Sequence, residues 1–342
     1  MEKQNSLQLL SKYKGPIMGF AAWCIVLFHE WQPLFAGVPG LGIIEAAGKQ
    51  IGFFGVDIFF LLSGLGLTYA IRKGTLLSFY WRRIKRLLIP VLVLGLLRLF
   101  TEHWTWTQFW ENLSGYTFYT ENIYAFLWFI LAICTLYFLF PFYYKLFERA
   151  GDKMAFTVAA IALWLGISLM GIIRYDAHGF TNRIPVFLIG ILLGWMTQHK
   201  TVEFKKSTWG CMGVLLLLGH YLAYQTCNKG LYLVVPVSNC FLPTLLLAVS
   251  SVFLLAKGLD LISSTRFGRG IAKFFGFFGL FSLEFYCVQE WLGALLIPRL
   301  EGQVSTLLVN LLTLAAITAV SFVLYLFQKY SWKVLEKCKR SR

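Results

Sequence analysis

The sequence predicts an all-α integral membrane protein, and three observations carry that expectation. Of 342 residues, 58% are hydrophobic and only 14% are charged, with a mean hydropathy of +0.67, whereas a soluble domain keeps about a quarter of its residues charged. The apolar residues gather into runs close to the roughly 20 residues needed to cross a hydrocarbon core. The remaining charges are confined to short stretches between those runs. A water-soluble domain is thereby excluded. The formal charge of +15 does not indicate a nucleic-acid partner, because the Lys and Arg residues are split between apolar runs instead of forming a continuous face.

Ten runs are expected to span, at 16–36, 50–71, 87–101, 124–146, 154–173, 184–198, 208–225, 233–256, 274–298 and 304–328. The first leads straight into further runs and lacks a small-residue cleavage site, so it is not a removable leader. The third is short and follows the basic segment 79–86, expected to form a helix at the membrane surface before the chain turns inward at Pro90. Stretches carrying Lys145–Lys153, Lys200–Lys206 and Lys257–Lys273 separate later runs, and the tenth stops at Lys329. No linker, low-complexity stretch or internal repeat interrupts the series, so residues 1–342 are expected to form a single domain with no appended soluble domain. The seven cysteines include no CxxC pair, and Cys24, Cys134, Cys211 and Cys287 lie inside apolar runs. They read as buried free thiols, with neither a metal site nor a disulfide framework.

With the amino terminus inside, all but six of the 31 Lys and Arg residues fall on inside segments; the exceptions are Lys49, Arg98, Arg174, Arg183, Lys229 and Arg299. Positive-inside sorting then places both termini in the cytoplasm.

Ionisable residues within spans are costly and are functional candidates by default. Counted from the expected outer ends of their spans, His29 and Glu30, Asp57, and Gln289 with Glu290 all lie about seven residues deep, or roughly 10 Å at 1.5 Å per residue. Arg98 and Arg183 are expected to face this layer. Ser282, Tyr286, Gln289 and Glu290 form one helical stripe. Polar locks between helices are the bland alternative, but a shared depth favours a site. His29 stands out, since neutral imidazole takes a proton near pH 7 and a neighbouring carboxylate, Asp57 or Glu30, would fix its tautomer.

At the other membrane face, Arg82, Arg83, Lys85 and Arg86 form a dense cationic patch, suited either to anionic headgroups or to a polyphosphate. An aromatic segment holding Trp104, Trp106, Trp110, Tyr116, Phe118, Tyr119 and Tyr124 reads first as an interfacial belt and second as a sugar platform. The Asn112–Ser114 sequon lies in the same segment.

Six segments taken in order, MGFAAWCIVLFHEW (18–31), GVDIFFLLSGLGLTYAI (55–71), FYWRRIKRLLIP (79–90), LWFILAICTLYFLFP (127–141), RIPVFLIGILLG (183–194) and GLFSLEFYCVQEW (279–291), make the chain resemble the membrane acyltransferase-3 family, whose members modify envelope carbohydrates and other acceptors. The resemblance implies His29 as the catalytic histidine, Asp57 as its polar partner, and Arg83 with Arg86 as the basic pair; Trp128, Tyr137, Pro141 and Arg183 match recurring positions. Two departures stand out. Met18 replaces a frequent basic residue, with Lys14 one turn earlier as its substitute, and Gln289 replaces a late histidine.

The resemblance further implies an acyl-CoA donor, acetyl-CoA or another acyl-CoA, and an extracytoplasmic saccharide or glycolipid acceptor. Lys14, Arg82, Arg83, Lys85 and Arg86 would hold the donor's phosphates, and Arg98, Arg183, Trp128, Tyr286, Gln289 or Glu290 would serve the oxyanion and acceptor. The expected setting is the bacterial cytoplasmic membrane, with membrane lipids as surroundings. A transporter or flippase for an anionic lipid-linked sugar or metabolite is the rival, disfavoured by the missing internal duplication.

Overall fold

A computed structural model describes residues 5–121, 126–173, 177–229 and 241–340, excluding the side chains of 178, 227–229 and 336–340. The described residues form sixteen helices and no strand. In chain order these are α1 (Gln8–Lys12), α2 (Lys14–Glu30), α3 (Leu41–Gln50), α4 (Phe54–Ala70), α5 (Leu76–Thr101), α6 (Trp106–Ser114), α7 (Tyr116–Thr120) and α8 (Trp128–Arg149). They continue as α9 (Lys153–Leu169), α10 (His178–Thr181), α11 (Ile184–His199), α12 (Lys206–Lys229), α13 (Phe241–Ile262), α14 (Arg266–Leu280), α15 (Ser282–Leu300) and α16 (Thr306–Arg340).

Each of the ten expected runs overlaps a helix, although part of the eighth, 233–240, lies outside the described residues. Length and apolarity qualify five stretches as candidate spans: Leu41–Ala70, Trp128–Arg149, Gly179–His199, Phe241–Ile262 and Thr306–Leu335. A sixth is added if α14 and α15 count as one broken span. These two helices meet at an angle of 72°, which corrects the single helix expected over 274–298. The break falls at Phe281, whose backbone (φ −124°, ψ 28°) leaves the helical region while its ring is buried among Phe277, Phe285 and Phe322.

The basic segment 79–86 also departs from expectation. It is the first part of α5, which runs unbroken through Pro90. Proline has no N–H to give the carbonyl four residues earlier, Arg86. Gln328 of α16 supplies the missing donor, its Nε2 lying 2.6 Å from Arg86 O. A distant side chain thus keeps α5 whole.

Helices in lipid gain little from apolar burial against one another and associate through close packing. A Cβ on Gly190 of α11 would lie 2.1 Å from Leu61 O of α4, and one on Gly19 of α2 would lie 1.8 Å from Phe275 O of α14. Backbone-to-backbone contact at these crossings builds the bundle around α2 and α4. The same environment corrects the cysteine expectation: Cys287 is buried, but Cys134 and Cys211 are exposed, because apolar faces of a membrane helix need not turn inward.

Candidate functional site

A cavity of about 740 Å³ lies between α2, α4, α5, α8 and α15, within the size range of small-molecule sites. Lys14, Lys73, Arg82 and Arg83 line one end. Phe59, Leu62, Phe129 and Ile133 line its length, and Tyr286 marks its deep wall. Tyr137 lines it as well, with its hydroxyl directed to Ser63.

The cations are held differently. Lys14 Nζ rests against Gly66, where a Cβ would come within 2.5 Å of it; glycine is what lets the ammonium reach the cavity. Arg83 stacks on Phe79 and Tyr137, its guanidinium 5.6 and 5.7 Å from the two rings, and its buried Nε makes no hydrogen bond. Arg82 is tethered to Ser78 Oγ and to the Lys73 carbonyl at 3.1 and 2.6 Å. Arg86 is neutralised: its guanidinium grips the fully buried Glu284 of α15 with two prongs, Nη2 to Oε2 at 3.0 Å, and Nη1 reaches Gln328 Oε1 at 2.9 Å. Lys85 lies with its Nζ 5.0 Å from the Trp332 ring, away from this cavity.

Beyond Tyr286, outside the residues that line the cavity, the expected residues separate into two groups. In the first, Asp57 is fully buried in the first turn of α4, 3.7 Å from Arg183 Nε, an ion pair too long for a hydrogen bond. Thr244, whose hydroxyl donates to Phe241 O at 3.3 Å, lies near the same carboxylate, and Arg183 lies 5.1 Å from the Trp128 ring. Leu127, which caps α8 in the left-handed region (φ 52°, ψ 38°), fixes the entry of Trp128 and Phe129. A non-glycine residue there carries strain of about 1–3 kcal/mol, a feature that clusters at functional sites.

In the second group, Glu30 is buried with its carboxylate over Gly293 of α15, where any Cβ would collide with it. Glu290 is close enough for the two acids to repel, and Arg98 is the nearest compensating charge on Glu290. Arg98 itself pairs with Glu102 at 3.4 Å. Tyr286 stands between the groups, within electrostatic reach of Arg183 and Glu290, with its ring centroid 5.2 Å from that of Phe129. Gln289 is buried beside it, its Oε1 without a hydrogen bond.

His29 is exposed, packs edge-on against Phe28, and does not line the cavity. The single-layer expectation fails here for a definite reason. Trp31 turns extended (φ −71°, ψ 121°) and Pro33 bars Gln32 just beyond it from the helical region, so α2 stops at Glu30 and His29 sits at its very end. Asn310 locks the exit with reciprocal 2.8 Å bonds to the Gln32 backbone. Gly55 of α4 packs on Ala21, so Asp57 lies roughly 12 Å or more deeper than His29 at 1.5 Å per residue. Glu30 is the nearer acid, and no hydrogen bond joins either acid to the imidazole among the described residues.

Sequence reasoning passed over Glu284, Gln328, Thr244 and Lys49. The last sits close enough to act electrostatically on both His29 and Glu30. Glu284 was detectable as an ionisable residue inside a span; the others carried no local signal. Of the aromatic segment, Trp106, Trp110, Tyr116 and Tyr119 are exposed, Phe118 is buried and Trp104 packs on Phe126; Tyr124 lies outside the described residues, as does Arg174.

Fold and site together define a multi-pass helical membrane protein built around a large cavity with a cationic end. The chain belongs to the acyltransferase-3 family: the family's model, described as an acyltransferase domain, matches residues 19–326, nearly the whole chain. No curated protein and no solved structure gives a significant match.

Proposed function

We propose that this membrane acyltransferase moves an acyl group, acetyl in the simplest case, from cytoplasmic acyl-CoA to a hydroxyl of an extracytoplasmic saccharide or glycolipid in the bacterial cytoplasmic membrane. The observation that carries this reading is the shape and charge of the cavity: several cations at one end, an apolar channel, and Tyr286 on its deep wall. A CoA thioester has the same order of parts, phosphates, a thin arm and a reactive carbonyl.

In this reading all ten expected runs cross the membrane and both termini are cytoplasmic, which turns the cationic end toward the cytosol; the distribution of Lys and Arg supports that orientation. Lys14, Arg82 and Arg83 bind the phosphates by charge-assisted hydrogen bonds. The arm follows Phe59, Leu62, Phe129 and Ile133 and carries the thioester past Tyr286 toward the outer end of α2. His29 takes the proton of the acceptor hydroxyl, whose oxygen attacks the thioester carbonyl. The C–S bond breaks, and CoA leaves as a thiol with the proton returned by the imidazolium. The Gln289 amide, between Tyr286 and Glu290 on α15, is the proposed oxyanion stabiliser. Glu30 serves the imidazole, while Asp57 holds Arg183.

The test uses labelled acetyl-CoA and the purified protein in lipid nanodiscs, with an envelope fraction supplying the acceptor. Wild type transfers label to saccharide. His29→Ala is expected to keep its thermal stability and donor affinity while losing transfer by about 10²–10⁴-fold. Full transfer by the variant removes His29 from the reaction. Movement of a saccharide without acyl turnover replaces the reading with transport.

A further inference from the structure

A second cavity, of about 610 Å³, lies between α2, α3, α12, α13 and α14. One face of α13 runs its whole length, with Leu247, Ser251, Leu255, Gly258 and Ile262 placed at successive turns. Phe20 and Cys24 of α2 form one side, and Leu216 and His220 of α12 another. Among the described residues that line it there is no carboxylate, ammonium or guanidinium. The first cavity carries its cations at one end, whereas this one is apolar from end to end.

Two glycines show that the space is kept open. Gly19 and Gly190 bring backbones together, but Gly48 of α3 and Gly258 of α13 line this cavity with nothing within 4 Å of the position a Cβ would take. Their missing side chains leave room for an occupant instead of drawing helices close. Leu247 to Ile262 covers about 22 Å at 1.5 Å per residue. Spread over that length, the volume gives a section of about 27 Å², which admits an extended hydrocarbon chain and excludes a further helix, about 10 Å across.

One end of this slot opens beside the candidate base. Gly48 and Ile51 line it, and Lys49 between them acts electrostatically on His29 and Glu30. Just past Ile51, a Cβ on Gly52 would come within 2.4 Å of Cys24 O and 2.8 Å of Phe28 Cβ. The Phe28 and Phe53 rings meet at 5.8 Å. The mouth is thus pressed against α2 at the residue next to His29.

We propose that the slot holds the hydrocarbon chain of the acyl acceptor, so that the acceptor is a lipid-linked saccharide whose chain lies along α13 and whose head group stands at His29. This inference rests on the acyltransfer reading and narrows its acceptor. A free saccharide has no surface to offer such a lining, while a chain entering from the bilayer is held with its polar end at the base.

The test supplies labelled acetyl-CoA to the full-length protein in nanodiscs, with the envelope fraction divided into a solvent extract of its lipids and the lipid-free residue. Wild type is expected to label the extract and leave the residue unlabelled. Gly258→Leu, which adds a side chain where the structure leaves space, is expected to keep its thermal stability and acetyl-CoA affinity while the amount of extract needed for half-maximal rate rises about tenfold or more. Gly48→Leu fills the mouth and decides the matter should Gly258→Leu lose stability. Equal or greater labelling of the lipid-free residue, or an unchanged requirement for extract in the stable variant, overturns the slot and leaves the acyltransfer reading standing. No transfer by wild type to either fraction overturns both.

Discussion

The two acids of α15, Glu284 buried and Glu290 half-buried, are treated in opposite ways. Glu284 is fully enclosed and answered by a two-pronged guanidinium, with Gln328 completing the cluster. Six residues further on, Glu290 faces another acid, Glu30, with Arg98 offsetting the first and Lys49 the second. The first arrangement is a clasp that ties α5, α15 and α16 together. The second would be selected against if stability were its purpose, since like charges in a desolvated place work against the fold. Departures from local consistency concentrate where function requires them, and this one lies next to His29.

Changing each region tests the contrast. Arg86→Ala leaves Glu284 buried without its counter-charge; because Arg86 is partly exposed, the cost is expected at about 2–3 kcal/mol, read as a fall in thermal midpoint in detergent. An unchanged midpoint would show that the clasp is ornamental. Gln328→Leu strips the donor from the Arg86 carbonyl and should cost about 1–3 kcal/mol. Adding Pro90→Ala gives that carbonyl its helical N–H back and should recover much of the loss; a purely additive double mutant would refute the link.

Glu290→Gln probes the other side of the comparison. Relief of repulsion with Glu30 is expected to raise stability, by about 1 kcal/mol or less, while acyltransfer falls; Glu284→Gln should lower stability. Matching signs would abolish the distinction. The smallest effect is expected at the surface pair of Lys12 and Asp260, 2.7 Å apart with Lys12 mostly exposed, where Lys12→Met should cost under about 1 kcal/mol. The hydrogen bond to Asp260 raises the Lys12 pKa above its ordinary 10.5. The pair therefore supports the fold below pH 10.5 and its contribution disappears as pH climbs through the raised value. A constant difference between wild type and variant across that range would contradict this sign.

Much of the helical plan was legible because apolar length and charge placement are local properties: helices occur at all ten expected positions, and six ordered segments identified the family that the match over residues 19–326 bears out. The points missed were set from afar. Pro90 looked like a break because its rescuer, Gln328, is 242 positions from Arg86. The end of α2 was misread although Pro33 signalled it, and that error of a few residues moved His29 from an expected place well inside the span to a helix terminus. The α14–α15 bend depends on Phe281 entering a cluster of rings contributed partly by α16. For the site, the sequence named residues by type, and packing sorted them: Arg183 goes to Asp57, and Arg86 goes to an acid that had been overlooked.

The carbonyl filled by Gln328 also sets an order of assembly. Translation delivers that side chain 242 residues after Arg86, an interval of roughly 12–48 s at 5–20 residues per second. Until then the wall that bears Arg82, Arg83 and Arg86 has a gap in its ladder at Pro90. The cationic wall of the cavity reaches its final geometry only when the last helix arrives.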